Sequence, residues 1–177
     1  MELAFHERDA AAAERAFAQL SATGCHMASV PFPRTWCQGL AARLRGDEAA
    51  AQQAFAATRD EAAQMVQKVG NHAGAWCLLG LAQAALGAKE EAIRAGLHAV
   101  ELEPISRDAL DGPLLTGYLA IIYAWCGEQD LALQQLERAT SVPSYWSYGH
   151  LSLHPYWDAL RGHPRFEQIV ASLAPKD

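Results

Sequence analysis

Lysine is nearly missing from this sequence, occurring only at Lys68, Lys89 and Lys176. The formal net charge is −6 over 177 residues, and no basic stripe runs along any segment. A nucleic-acid partner is therefore not expected, because such binding needs clustered cations against the phosphates. Long apolar runs are missing too; none approaches the ~20 residues that span a bilayer as a helix, so no membrane partner is expected. The opening Met1 to Asp9 carries acidic residues and has no apolar leader core. Cysteine is sparse: Cys25, Cys37, Cys77 and Cys126 are scattered and contain no C-x-x-C. That spacing argues against a zinc knuckle or a thioredoxin-like motif. The four read as reduced, small, mostly buried residues of a cytoplasmic chain. No G-x-x-x-x-G-K, G-x-S-x-G or H-E-x-x-H occurs, so no catalytic residues, cofactor or metal are expected and the chain reads as non-enzymatic.

What is abundant is alanine. It inflates the hydrophobic fraction to 51%, favours helix and lets helices approach closely. Few stretches alternate with period two, so the expected class is all-α with almost no strand. Residues 76–104 carry the clearest pattern. Trp76, Leu79 and Gly80 share one side of a first helix, and Gly87 ends it. Ala92 and Ala99 sit seven apart on a second helix, which Pro104 closes. Small residues at Gly80 and Ala92 let two helices approach, and Trp76 is expected to be buried beside them.

The pattern recurs. Asp9, Ala13, Ala16 and Phe17 return as Asp47, Ala51, Ala54 and Phe55, 38 residues on. Gly46, Gly87 and Gly127 close leading helices 40 or 41 residues apart. Ala92 and Ala99 recur as Ala132 and Ala139. Ser21 to Arg34 reads as a loop, because Gly24, Pro31 and Pro33 interrupt it. A helix is predicted from Thr35 to Leu44, and a long one from Asp47 to about Val69. From Ser144 the chain turns aromatic, with Tyr145, Trp146, Tyr148, Tyr156 and Trp157. Short helices are predicted near Ser144–His150 and Tyr156–Arg161, and a last one from Pro164 to Leu173.

These features resemble tetratricopeptide-repeat proteins, whose unit is a helix–turn–helix. The resemblance implies an α-solenoid of antiparallel helix pairs. Residues 1–143 would form about four repeats, the first truncated, and residues 144–177 a capping segment with a final helix. Two runs, Glu90 to Pro113 and Leu153 to Phe166, are also similar to repeat arrays at the C-terminal end of bacterial multidomain signalling proteins. There the array follows a cyclase, kinase or winged-helix domain. Such arrays more often carry Asp where this chain has His154 and His163.

A solenoid binds through the face lined by its leading helices. The residues expected there are Trp36, Leu40, Arg43, Cys77, Leu81, Ile121 and Trp125. They imply an apolar groove for a peptide, a partner protein or a second copy of the chain. The same residues also suit packing between repeats. A groove that instead senses a small apolar ligand, regulating a larger bacterial signalling protein, is the alternative. Arg43 is the one cation among the groove positions, which argues against clamping a peptide carboxylate by several cations. Cys25-His26-Met27 has metal-friendly side chains, but sequence neighbours point apart. His150 and His154 are four apart, yet Pro155 disfavours helical geometry at His154; the two could still meet His163 at the cap, but no metal site is expected there. Glu90 and Arg94 read as a surface pair, and Asp108 and Asp111 as turn and cap residues.

Overall fold

The computed structural model of the chain describes residues 1–21, 24–27 and 29–175, leaving the side chains of 25–27 undescribed. The expected metal-poor reading of Cys25-His26-Met27 therefore lies outside the described side chains. The described residues are helical apart from one small hairpin. Two helices come first, α1 (Glu2–His6) and α2 (Ala10–Ala18). The hairpin pairs β1 (Cys25–Met27) antiparallel to β2 (Val30–Phe32), with His26 opposite Pro31. It lies inside the stretch expected to be loop throughout. Six helices follow: α3 (Arg34–Leu44), α4 (Glu48–Lys68), α5 (Ala73–Ala85), α6 (Lys89–Leu102), α7 (Asp111–Trp125) and α8 (Gln129–Thr140). The end is built from α9 (Tyr148–Leu153), a 3₁₀ segment (Pro155–Leu160) and α10 (Pro164–Ser172).

The punctuation of the sequence explains the boundaries. Asp9 and Asp47 cap α2 and α4, each accepting a backbone N–H from three residues on, Ala12 and Ala50. The capping oxygen satisfies one of the donors a helix start leaves unpaired. Gly87 ends α5 at φ +80°, a left-handed turn that costs glycine little; Gly46 and Gly127 do the same after α3 and α7. Each turn leads straight into the next helix, so consecutive helices pack on one another along the stack, and α5 also touches α7.

Close approach is set by missing side chains. A methyl on Gly80 would stand 3.0 Å from the Ala92 carbonyl oxygen and the Gly96 nitrogen, and 2.9 Å from Ile122 Cδ1. That is the α5–α6 contact that the sequence predicts. The tryptophans are distributed otherwise than expected. Trp36, Trp146 and Trp157 are the largest fully buried side chains. Trp76 is only half-buried: its indole donates to the Gly70 carbonyl at 2.7 Å and meets the His98 ring edge-on. It lies at the start of α5, beside an open cleft that it borders with Arg94 and His98. The expectation for the cysteines also needs correction. Cys37 is disulfide-bonded, whereas Cys77 and Cys126 are free thiols.

One main core runs from the hairpin through α8 to α10. A smaller one joins Ala4, Phe5 and Ala13 to Ala41 of α3. No described helix is long and apolar enough to cross a membrane.

Candidate ligand pocket

The residues predicted to line an open groove come from α3, α5 and α7, and most of them are under cover. Trp36, Cys77, Leu81 and Ile121 are each at most 1% exposed. The cover is the chain itself. Phe32 of the hairpin stacks on Trp36 and meets Tyr118 edge-on. Tyr156 from the 3₁₀ segment accepts the Trp36 indole N–H on its hydroxyl and the Trp125 indole N–H on its carbonyl, both at 3.1 Å. Trp36 and Trp125 lie nearly parallel, with ring centres 6.2 Å apart.

Leu40, Arg43 and Trp125 remain at the edge of this cover. Together with Phe5 and Tyr156 they border a cavity of about 330 Å³ between α1, α3, the end of α7 and the 3₁₀ segment. The Arg43 guanidinium lies over two rings, 4.8 Å from Phe55 and 4.6 Å from Trp125. Among the described residues its only hydrogen bond is a long one, 3.4 Å, to the Ala85 carbonyl. Burial pushes its pKa down, against the raising influence of Glu48 and Tyr156. Among the described residues no carboxylate lies within ion-pair distance of it. Arg43 is thus a half-buried cation with two aromatic faces and, among the described residues, no directly paired carboxylate; Glu48 acts on it without an ion-pair contact.

The cavity rim is fastened by Arg8 and Asp158. Two guanidinium nitrogens of Arg8 donate to the two carboxylate oxygens, at 3.0 and 2.5 Å. Arg161 adds a third bond to Asp158 at 2.9 Å. Burial works to raise the Asp158 pKa, but the bonds from Arg8 and Arg161 outweigh it and hold it low. Arg8 has φ +53°, a left-handed backbone that branched and bulky residues avoid. That conformation turns the chain between α1 and α2.

Beside the cavity four further polar residues meet that the sequence does not group. His150 and His154 stack with ring centres 4.8 Å apart and planes 3° from parallel. His6 stands across both, at 90° and 87°. Glu2 Oε2 lies 3.9 Å from His6 Nε2 and 3.8 Å from His154 Nε2. His154 does have an extended backbone before Pro155, at ψ 134°, yet its ring still reaches His150. Burial first, then neighbouring His6, pushes the His150 pKa down to about 3. Burial, then His150 and His6, takes His154 down to about 2. The signal that could have found this group is a pair of four-residue spacings, Glu2–His6 and His150–His154. His163 stays apart from it and caps α10 through the Arg165 N–H.

Other chemistry is quiet. Burial raises the thiol pKa of Cys77 and of Cys126, which disfavours the nucleophilic thiolate. Asp108 accepts the N–H groups of Leu110 and Asp111, an ordinary turn into α7. No family model matches the chain, and searches of curated proteins and of solved structures found no match.

Proposed function

We propose that the protein is a non-enzymatic binding module of tetratricopeptide type, and that its ligand site is the cavity beside Arg43. The ligand is a carboxylate carried on a small apolar group. The Arg43 cation between Phe55 and Trp125, with no carboxylate in ion-pair reach among the described residues, carries this reading. A half-buried cation with no ion-pair partner costs free energy that an incoming anion recovers in part. The flanking aromatic and aliphatic surface suits the ligand's apolar part. On this reading the hairpin and the 3₁₀ segment fill most of the solenoid's inner face. What remains is a pocket for a small ligand, in place of a groove for an extended peptide.

The test displaces a fluorescent apolar anion, 8-anilinonaphthalene-1-sulfonate, with octanoate or with a short peptide ending in leucine, as free acid and as amide. The free acids compete at one site and the amide does not. Arg43→Met lowers the affinity at least about tenfold, the order of one charge-assisted hydrogen bond. Equal binding of the acid and amide, or an unchanged Arg43→Met protein, sinks the assignment. Competition by octanoate alone, or by the peptide acid as well, tells a free acid from a chain terminus.

A second reading keeps a partner protein. Leu110 is 83% exposed and Tyr145 is 43% exposed. They border a broad cleft of about 640 Å³ near the start of α7, on a different side from Arg43's pocket residues.

A further inference from the structure

We propose that Glu2 Oε2, His6 Nε2 and His154 Nε2 form a three-ligand site for a zinc ion at the junction of α1 and α9. Three observations converge on it. The first is orphaned polarity. Nε2 of His6 and Nε2 of His154 are both buried without a hydrogen-bond partner among the described residues. His154 is 2% exposed, so its nitrogen has no solvent to turn to, and buried polar atoms ordinarily find a partner.

The second is geometry. The two nitrogens lie 3.9 and 3.8 Å from the same carboxylate oxygen. Zinc bonds of about 2.1 Å place neighbouring ligand atoms of a tetrahedron about 3.4 Å apart, so each of these nitrogens need approach the carboxylate oxygen by only about half an ångström. An imidazole binds through a lone pair in its own plane. The His6 and His154 planes cross at 87°, so one ion can lie in both. His150 and His154 are parallel, which makes His150 a wall behind His154 instead of a fourth ligand. Two imidazoles and one carboxylate are the donor set of a borderline ion such as Zn²⁺ with a position left for water.

The third is support and access. Glu2 and His6 are four apart on α1, hence on one face. His154 is held by its carbonyl, which accepts from Arg161 at 3.1 Å. Glu2 is half-exposed, and a cleft of about 200 Å³ bordered by Glu2 and His150 opens beside the group.

The Tyr156 N–H donates to His154 Nδ1 at 3.2 Å, and this contact gives the binding step a signature. A neutral imidazole that accepts on Nδ1 carries its proton on Nε2. Zinc takes the Nε2 lone pair, so that proton must move to Nδ1, and the bond from the Tyr156 N–H is given up. The shift leaves the Nδ1–H and the Tyr156 N–H facing each other as donors, so the Tyr156 backbone has to turn aside, a cost that coordination of a zinc ion exceeds.

The experiment uses the full chain without an affinity tag, stripped with a chelator and titrated with zinc chloride against a chromophoric competitor. One equivalent binds, and in ¹⁵N imidazole spectra the His154 proton moves from Nε2 to Nδ1. His6→Gln and Glu2→Gln each weaken zinc binding by about 10–100-fold or more, the range for disturbing a metal site. Neither residue is part of the main core, so both variants are expected to fold, which circular dichroism checks. His98→Gln, on α6, leaves the affinity unchanged. Absence of saturable one-to-one binding overturns the proposal. So does binding that survives both His6→Gln and Glu2→Gln, or that falls equally in His98→Gln. The anion displacement at Arg43 needs no zinc, so either site can fail without the other.

Discussion

Between α5 and α8 the helices meet through what their residues leave out. Gly80 and Gly96 have no side chain where α5, α6 and α7 come together, and the space is taken by Ile122 and Leu119. At the aromatic end the contacts are made by groups that reach. The Trp146 indole donates to the Pro113 carbonyl at 2.9 Å and occupies the place a side chain on Gly117 would need. The Trp157 indole donates to His150 Nδ1 at 3.1 Å. The stack is therefore stabilised by dispersion and apolar burial, which tolerate changes in pH. The end of the chain depends on polar groups buried in particular protonation states, and such networks are costly when disturbed.

Acid should separate the two regions most strongly. The described stack buries no histidine, while the end buries His150 and His154. Below the ordinary imidazole value of 6.5, the unfolded chain takes up protons that these folded rings refuse until about 3 and about 2. The folded state then binds fewer protons than the unfolded one, so stability falls as pH falls through that window. The slope is about 1.4 kcal/mol per pH unit for each ring. Denaturant titrations of metal-free protein at stepped pH check this, and His154→Asn should roughly halve the slope. A pH-independent midpoint between pH 6 and pH 4 would mean the rings are not held neutral.

Next in size is a comparison of tryptophans. Trp146→Ala should cost about 3–5 kcal/mol, as for other buried aromatics. Trp76→Ala, at the half-buried start of α5, should cost nearer about 1 kcal/mol. Equal losses in urea would erase the difference drawn between the two positions. The smallest effect lies inside the stack. The methyl of Gly80→Ala meets backbone atoms that cannot move away and should cost about 1–3 kcal/mol. That of Gly96→Ala meets only side-chain carbons of Ile122 and Leu119. There alanine's helix preference, about 1 kcal/mol over glycine, should leave the change near neutral by thermal melting.

Much of the helical framework was legible because its signals are local. Asp9 and Asp47 announce helix starts, and Gly46, Gly87 and Gly127 announce turns. The long α4 and the final helix from Pro164 follow from the same cues. What could not be read is what comes to lie on a face. Periodicity puts Trp36, Leu81 and Ile121 on a common side, but the cover over Trp36 comes from Phe32 and Tyr156, the latter 120 residues away. Trp76 has the stronger motif and the poorer burial for the same reason. Glu2, His6, His150 and His154 were hidden because their two halves are local pairs at opposite ends of the sequence. The extended backbone at His154 was correctly anticipated, but it does not keep the rings apart.

The Arg8–Asp158 pair joins residues 150 apart in sequence. A row of helices contacting only its neighbours can begin to order at any point and grow outward, with little loop entropy lost at each step. Fastening the turn after α1 to the 3₁₀ segment is a different event. It closes nearly the whole chain into a ring, and its entropic cost grows with the length enclosed. During synthesis it has to wait until Asp158 exists, long after α1 has emerged. Phe5 can meet Ala13 and Ala41 early, but it spends that interval without the His154 ring it finally faces, so the first helix stays only partly covered while the protein is being made.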